Sequence, residues 1–409
     1  MNSVMQKPLS IDINNNKEEL LRETDESINC NLQSSSSTSP LGSSSSAMSD
    51  SFQEKLKEVS LDQMIRGQTP AGIENRCLEL CRAFIGGPWS EATGVEEISV
   101  KRLSGGFTNQ LYHVRLISAS ADAAAVADDD FPTEVAIKFY QAKHMKNYHA
   151  DDDERLNDVI ILSMVSEMGI TPKVYGIFQE GFVQEFIKHE QFVPKHQQIP
   201  KCLEGCAQLQ AKIHSLKVPI RKDSSWIFRI MRECFQTAYD QCALQELIDQ
   251  LQLDAFMKQN PLEEIDNLEK LVTEVNSPLA FSHIDFNRTN VLVVNGGERV
   301  VTVDMEHCAY APRAYDLATF LSEWDRELFA FHTVGLPTDA VLQQYVQLYI
   351  SAADQLQPGF ASKAENSVKK IVKEVKMFIL VKILFIIGVS VQMREAVIEA
   401  IPFNEELKM

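Results

Sequence analysis

Apolar residues recur three and four apart over 72–85, the spacing of one helical face, and Gly86-Gly87-Pro88 stops the run. The pattern then changes to short stretches rich in β-branched and aromatic residues. Val95–Leu103 and Gln110–Ile117 read as strands joined by the glycine turn Ser104-Gly105-Gly106, a hairpin rather than a βα unit. Glu134–Tyr140 reads as a third strand after an acidic loop at 119–130, and Val174–Phe178 and Gly181–Ile187 as two more. One helix, Leu156–Met168, is inserted and ends at Gly169 and Pro172. From about 198 the helical period returns, over 200–215, 225–257, 260–275, 314–331, 338–355 and 364–393. Only Val291–Val294 and Val300–Val303 interrupt it as strands. Strands first and helices after predict an α+β protein of two lobes, with an antiparallel-sheet N-lobe and a mainly helical C-lobe.

Residues 1–51 fall outside this pattern. They carry the runs Ser34–Ser37 and Ser43–Ser46 and few groups able to bury surface, so a disordered tail is expected. The N-lobe is then 52–188 and the C-lobe 189–409. The most apolar stretch, Met377–Val391, is 15 residues long and holds Lys382. A membrane span needs roughly 20 apolar residues, so a buried helix is expected there and no transmembrane segment. The N-terminus shows no apolar leader, so a cytoplasmic location is expected.

Composition adds limits. The chain has 409 residues, 44% hydrophobic and 23% charged, enough for a full core. Its net charge of −18 excludes nucleic acid as a main partner, since that needs a basic surface. Of eight cysteines, Cys77/Cys81 and Cys202/Cys206 are spaced to share a helical face. Buried thiols of a reducing compartment are the expected state.

The candidate chemistry lies in Ser282–Asn290, followed by the strand VLVV. Asp285 and Asn290 stand five apart, as do the base and the metal-binding amide on the catalytic loop of protein kinases, and His283 belongs to the same loop. One short loop can aim a carboxylate at an attacking hydroxyl and an amide oxygen at a phosphate-bound metal. Fourteen residues on, the strand Val300–Val303 delivers Asp304, a second ligand for a hard cation such as Mg²⁺. The turn Ser104-Gly105-Gly106-Phe107-Thr108-Asn109-Gln110 offers backbone N–H groups to phosphates. Lys138, in EVAIKFY, matches the strand lysine that pairs ATP phosphates, with Asp158 or Glu154 as the acid to hold it. Together these predict a protein-kinase-like fold using ATP.

Beyond these motifs, VDMEHCAYAPRAYDLATFLSEW at 303–324 resembles the signature of the choline/ethanolamine kinase family. SHIDFNRTNVLVV, RLSGGFTNQLYHV, TPKVYGIF and DSSWIF are similar to further segments of that family, so the resemblance covers about residues 80 to 392. It implies that Asp285 is the base, that Asn290 and Asp304 hold Mg²⁺, and that Ser104–Gln110 covers the phosphates. Lys138 stands where the family usually has Arg. Glu185-Phe186-Ile187 would flank adenine and Asn287 would touch ATP. Asp285, Glu306, His307, Tyr310, Glu323, Trp324 and Phe385 would face the acceptor, and Glu323-Trp324 favours the choline branch. The implied reaction turns ATP and choline into ADP and phosphocholine, for phosphatidylcholine synthesis. Ethanolamine, another amino alcohol or a catalytically weak regulatory member is the alternative, and a homodimer is compatible with the chain.

The signature also departs from the family. His307 replaces a Tyr, no Tyr follows Trp324, and Phe385-Ile386-Ile387-Gly388 replaces W-G-L-W. An aromatic cage for a quaternary ammonium group is therefore expected to be depleted, or rebuilt from Phe286, Tyr310, Tyr315 and Phe385.

Overall fold

The computed structural model describes residues 68–103, 109–117, 131–140, 154–252, 258–326 and 336–392. The expected tail, the loop 119–130 and Ser104–Thr108 of the glycine turn lie outside these residues. The first helix, α1 (Ile73–Phe84), packs Cys77, Leu78, Leu80 and Cys81 onto a five-stranded antiparallel sheet. Its strands are β1 (Ile98–Leu103), β2 (Gln110–Leu116), β3 (Glu134–Phe139), β4 (Val174–Phe178) and β5 (Gly181–Glu185), in the order β1-β2-β3-β5-β4. Helix α2 (Glu154–Glu167) intervenes before β4. Register places Lys138 opposite Phe182, and Gly181 opposite Phe139. A Cβ on Gly181 would sit 1.8 Å from the carbonyl oxygen of Lys138, so only glycine lets β5 approach the lysine strand this closely.

After the short strand β6 (Glu190–Gln191) the chain becomes helical: α3 (Pro200–Ser215), α4 (Trp226–Gln241), α5 (Leu244–Leu251) and α6 (Pro261–Val275). The predicted helix 225–257 is thus two, broken where Ala243 takes a left-handed φ of 51°. Strand β7 (Leu279–Ser282) leads into the candidate loop. The hairpin β8 (Val291–Val294) and β9 (Arg299–Thr302) follows, and β6 pairs with β8. Strand β10 (Ala309–Pro312) pairs back to β7, a two-stranded sheet the sequence pattern does not announce. Helices α7 (Arg313–Leu321), α8 (Asp339–Leu356) and α9 (Val368–Gln392) complete the lobe. The helix predicted at 314–331 stops at Leu321, and a turn carries Asp325 at φ 52°.

The large core lies in this second lobe. The apolar run at 377–391 belongs to α9, which is packed by α4, α6, α7 and α8. Among the described residues no helix is long and apolar enough to cross a membrane. The four cysteines of the two pairs are buried free thiols, and burial pushes Cys77 up to about 12. A small apolar cluster of Ile187, Leu292, Val294 and Val301 joins the segment after β5 to the β8–β9 hairpin.

Candidate active site

The hairpin places the loop. Val291 pairs with Thr302, and the carbonyl of Asn290 accepts from the Val303 N–H at 3.0 Å and from the Thr302 hydroxyl at 3.0 Å. Asn290 therefore lies beside Val303, one residue before Asp304. Its amide nitrogen donates to Oδ2 and to the carbonyl of Asp285, both at 2.9 Å. Asn287 donates to Asp285 Oδ1 at 2.8 Å, while its own oxygen accepts from the Thr289 N–H at 2.8 Å. Two amides thus grip both oxygens of Asp285 and fix its rotamer. Asn287, expected at ATP, has its amide turned to Asp285.

His283 is wholly buried, and Nε2 meets the Val303 carbonyl at 3.0 Å. It ties the loop to the strand that ends at Asp304, and the role open to it is positioning. Ile284 carries a φ of 71°, unusual for a β-branched residue. Its N–H donates at 2.8 Å to Oδ1 of Asp316, fully buried on α7. Oδ2 of Asp316 meets His214 Nε2 at 3.2 Å, and His214 Nδ1 meets the Tyr349 hydroxyl at 2.9 Å. Burial would raise the Asp316 carboxyl, but His214 and the Ile284 N–H outweigh it and hold it below its ordinary range. In the sequence, Asp316 is only one residue of the 303–324 segment.

Opposite the loop, Lys138 Nζ donates to Asp304 Oδ1 at 2.6 Å, and the two side chains are 13% and 28% exposed. Asp304 itself sits at φ 64°, strained for a residue with a side chain. Burial would lower the lysine's pKa, yet Asp304 and Glu306 raise it above its ordinary value, so it stays cationic. Asp158, expected to hold the lysine, lines with it a cavity of about 30 Å³, while the direct ion pair goes to Asp304. The side chain of Glu154 lies outside the described residues. Glu306 accepts from Asn109 Nδ2 at 2.9 and 3.0 Å, which links the end of the glycine turn to the C-lobe. Gln110 begins β2, with its side-chain oxygen accepting from the Tyr112 hydroxyl at 2.7 Å.

The donor set fits a hard divalent cation. Asn290 gives its nitrogen to Asp285 and keeps Oδ1, while Asp304 gives one oxygen to Lys138 and keeps the other. No group of three or more His, Cys, Asp or Glu that could hold a metal occurs among the described residues, so phosphate oxygens and water would supply the remaining ligands, as Mg²⁺ commonly allows. At the expected adenine segment, Glu185 ends β5 and accepts from the Lys173 N–H. Phe186 stacks on His113 with centroids 3.7 Å apart, and Ile187 packs in the small inter-lobe cluster.

The expected acceptor residues do not form one group. Glu306 lies with Lys138 and Asn109, and His307 Nε2 is 4.0 Å from it. The Tyr310 hydroxyl donates to the Val218 carbonyl at 3.1 Å, and Lys222 lies 5.6 Å from its ring. Phe286 is wholly buried against His283 and Phe320. Trp324 is half-buried against the core, and Glu323 pairs with Arg326 at 3.3 Å. Tyr315 and Phe385 do meet, edge to face at 6.3 Å, but the group over both rings is Lys382. The rebuilt cage expected from Phe286, Tyr310, Tyr315 and Phe385 is thus reduced to one pair that already holds a cation.

A family model described as choline/ethanolamine kinase matches residues 100–403. A choline/ethanolamine kinase of Mus musculus is 24% identical over 254 residues, 61% of each chain. The Homo sapiens choline/ethanolamine kinase is 25% identical over 297 residues, 68% of this chain and 70% of its own. The chain thus spans about three fifths of the length of the mouse relative. Among solved structures, choline kinase from Cryptosporidium parvum superposes with a TM-score of 0.59 at 21% identity, over 80% of this chain and 93% of its own, which shows the shared fold.

Proposed function

The chain belongs to the choline/ethanolamine kinase family, and on that premise we propose that it transfers the γ-phosphoryl group of ATP to the hydroxyl of a small amino alcohol. The observation that carries this reading is the grip of Asn287 and Asn290 on Asp285, one residue-pair away from the Lys138–Asp304 contact. Asp285, held in one rotamer, accepts the proton of the attacking hydroxyl. Lys138 offers a fixed positive charge to the phosphates, and Asn109 with Gln110 holds the root of the turn that covers them. Asn290 Oδ1 and the second oxygen of Asp304 would hold Mg²⁺, which when bound offsets the charge of the transferring group. His283 and Asp316 keep the loop aimed.

Choline is the acceptor favoured by Glu323-Trp324, and ethanolamine the family's other one. The test is phosphoryl transfer by purified protein with ATP-Mg²⁺ and a panel of amino alcohols, beside Asp285→Ala. Loss of general-base catalysis costs about 10²–10⁴-fold, so the variant should form product at least about 10²-fold more slowly while keeping ATP affinity. Equal rates in the two proteins would overturn the assignment of Asp285.

A further inference from the structure

Lys382 has no place in the chemistry above, yet only 6% of it is exposed. It lies on α9 three residues before Phe385, so both project from one face of that helix. Its Nζ is 5.3 Å from the Tyr315 ring centroid and 5.6 Å from that of Phe385. Among the described residues no carboxylate lies within ion-pair distance of Nζ. Burial holds its pKa below the ordinary lysine value, against the upward pull of Asp285, Glu323 and Asp316. Geometry places the ammonium near the loop: Tyr315, whose ring it meets, precedes Asp316, and Asp316 takes the N–H of Ile284, the residue before Asp285. A second buried polar group points the same way: the Tyr315 hydroxyl has no hydrogen-bond partner among the described residues, and Asp285 acts on it too.

Two aromatic faces beside the base are the chemistry that would receive an acceptor's ammonium group. Here they already receive one from the chain. A second cation would be brought against Lys382 in a site of low dielectric, where like charges repel strongly and neither can move to water. An acceptor whose far end carries no fixed charge meets no such opposition.

We propose that Lys382 is a specificity-determining residue that stands in for the acceptor's ammonium and excludes quaternary ammonium alcohols. The acceptor is then an alcohol whose far end is neutral, or an amine able to shed its proton. This inference rests on the phosphotransferase reading and, against the choline expected from Glu323-Trp324, narrows the acceptor to one without a fixed charge at its far end.

The probe pair is choline and 3,3-dimethylbutan-1-ol, which has the same shape with carbon in place of nitrogen. The wild-type protein should use or bind the neutral alcohol at least tenfold better than choline. Lys382→Met, similar in length and uncharged, should reverse that order, and Lys382→Arg should preserve it. Binding of both compounds by calorimetry runs beside turnover. If neither probe nor any alcohol of the wider panel is phosphorylated, the phosphotransferase reading fails, while the binding order of the two probes still decides the role of Lys382. Should Lys382→Met not fold, Lys382→Gln, also uncharged, takes its place. A wild-type preference for choline, or the same preference in the wild-type and Met proteins, would overturn the inference.

Discussion

At the scale of single residues, the loop that carries Asp285 is held by side chains from another element. Ile284 is held at positive φ because Asp316 takes its N–H and Thr319 approaches its carbonyl at 3.4 Å. Asp316→Asn keeps the shape, but one of its two acceptor oxygens becomes a donating NH2, so it cannot accept from Ile284 and His214 with separate oxygens. A misplacement near 1 Å can cost about 10²-fold in rate, so kcat should fall roughly that far with the KM for ATP little changed. A matching rise in that KM would mean nucleotide binding was lost instead. The same carboxyl has a signed effect on stability. Its folded pKa lies below the unfolded value of about 3.9, so its contribution is complete above that pH and is lost as the pH falls through the folded value. Urea midpoints between pH 3 and 7 should therefore drop more steeply on the acid side for wild type than for Asp316→Asn.

At the scale of elements, what the sequence predicts well is what is local. The β8–β9 hairpin is two runs of β-branched residues whose starts are eight apart, and its register alone brings Asn290 beside Asp304. Asp285, Asn290 and Asp304 were legible for that reason. Strands β7 and β10 were not, because they have four residues each, AYAP has weak strand propensity, and their pairing spans 30 residues. The break at Ala243 has no Gly or Pro to mark it. Lys382 was visible only as a charge inside an apolar helix, since its partner rings come from α7 and from the next turn of α9. Arg313 shows the same limit. It matched a signature, yet it joins α7 to α9 through Glu374 at 3.0 and 3.1 Å, with Asn366 and the Glu365 carbonyl as further acceptors. Removing one partner of a buried pair typically costs about 3–5 kcal/mol. Glu374→Ala should lose about that much in denaturant unfolding, and an unchanged midpoint would show that α9 is not anchored there.

At the scale of the whole molecule, the two lobes meet through groups to which the proposed function assigns roles. Lys138 of the sheet holds Asp304 of the C-lobe, and Asn109 holds Glu306. Lys138 has a folded pKa above its unfolded value of about 10.4, so the pair is at full strength below that pH and weakens only as the pH rises through the folded value. At neutral pH a metal ion approaching Asp304 therefore meets an ammonium group already bound there. Nucleotide phosphates would give Lys138 another partner and free that oxygen. Without nucleotide, then, Mg²⁺ should bind the wild-type protein poorly, and Lys138→Met should bind it more tightly. A unit charge about 4 Å away is worth up to roughly 4 kcal/mol near a protein surface, so a gain of at least about tenfold is expected after screening. The same substitution should weaken ATP binding, because the phosphates lose their cation. Calorimetric titration of Mg²⁺ and of ATP separately reads both effects. Weaker Mg²⁺ binding by Lys138→Met would show that the lysine helps to shape the metal site instead of competing for it.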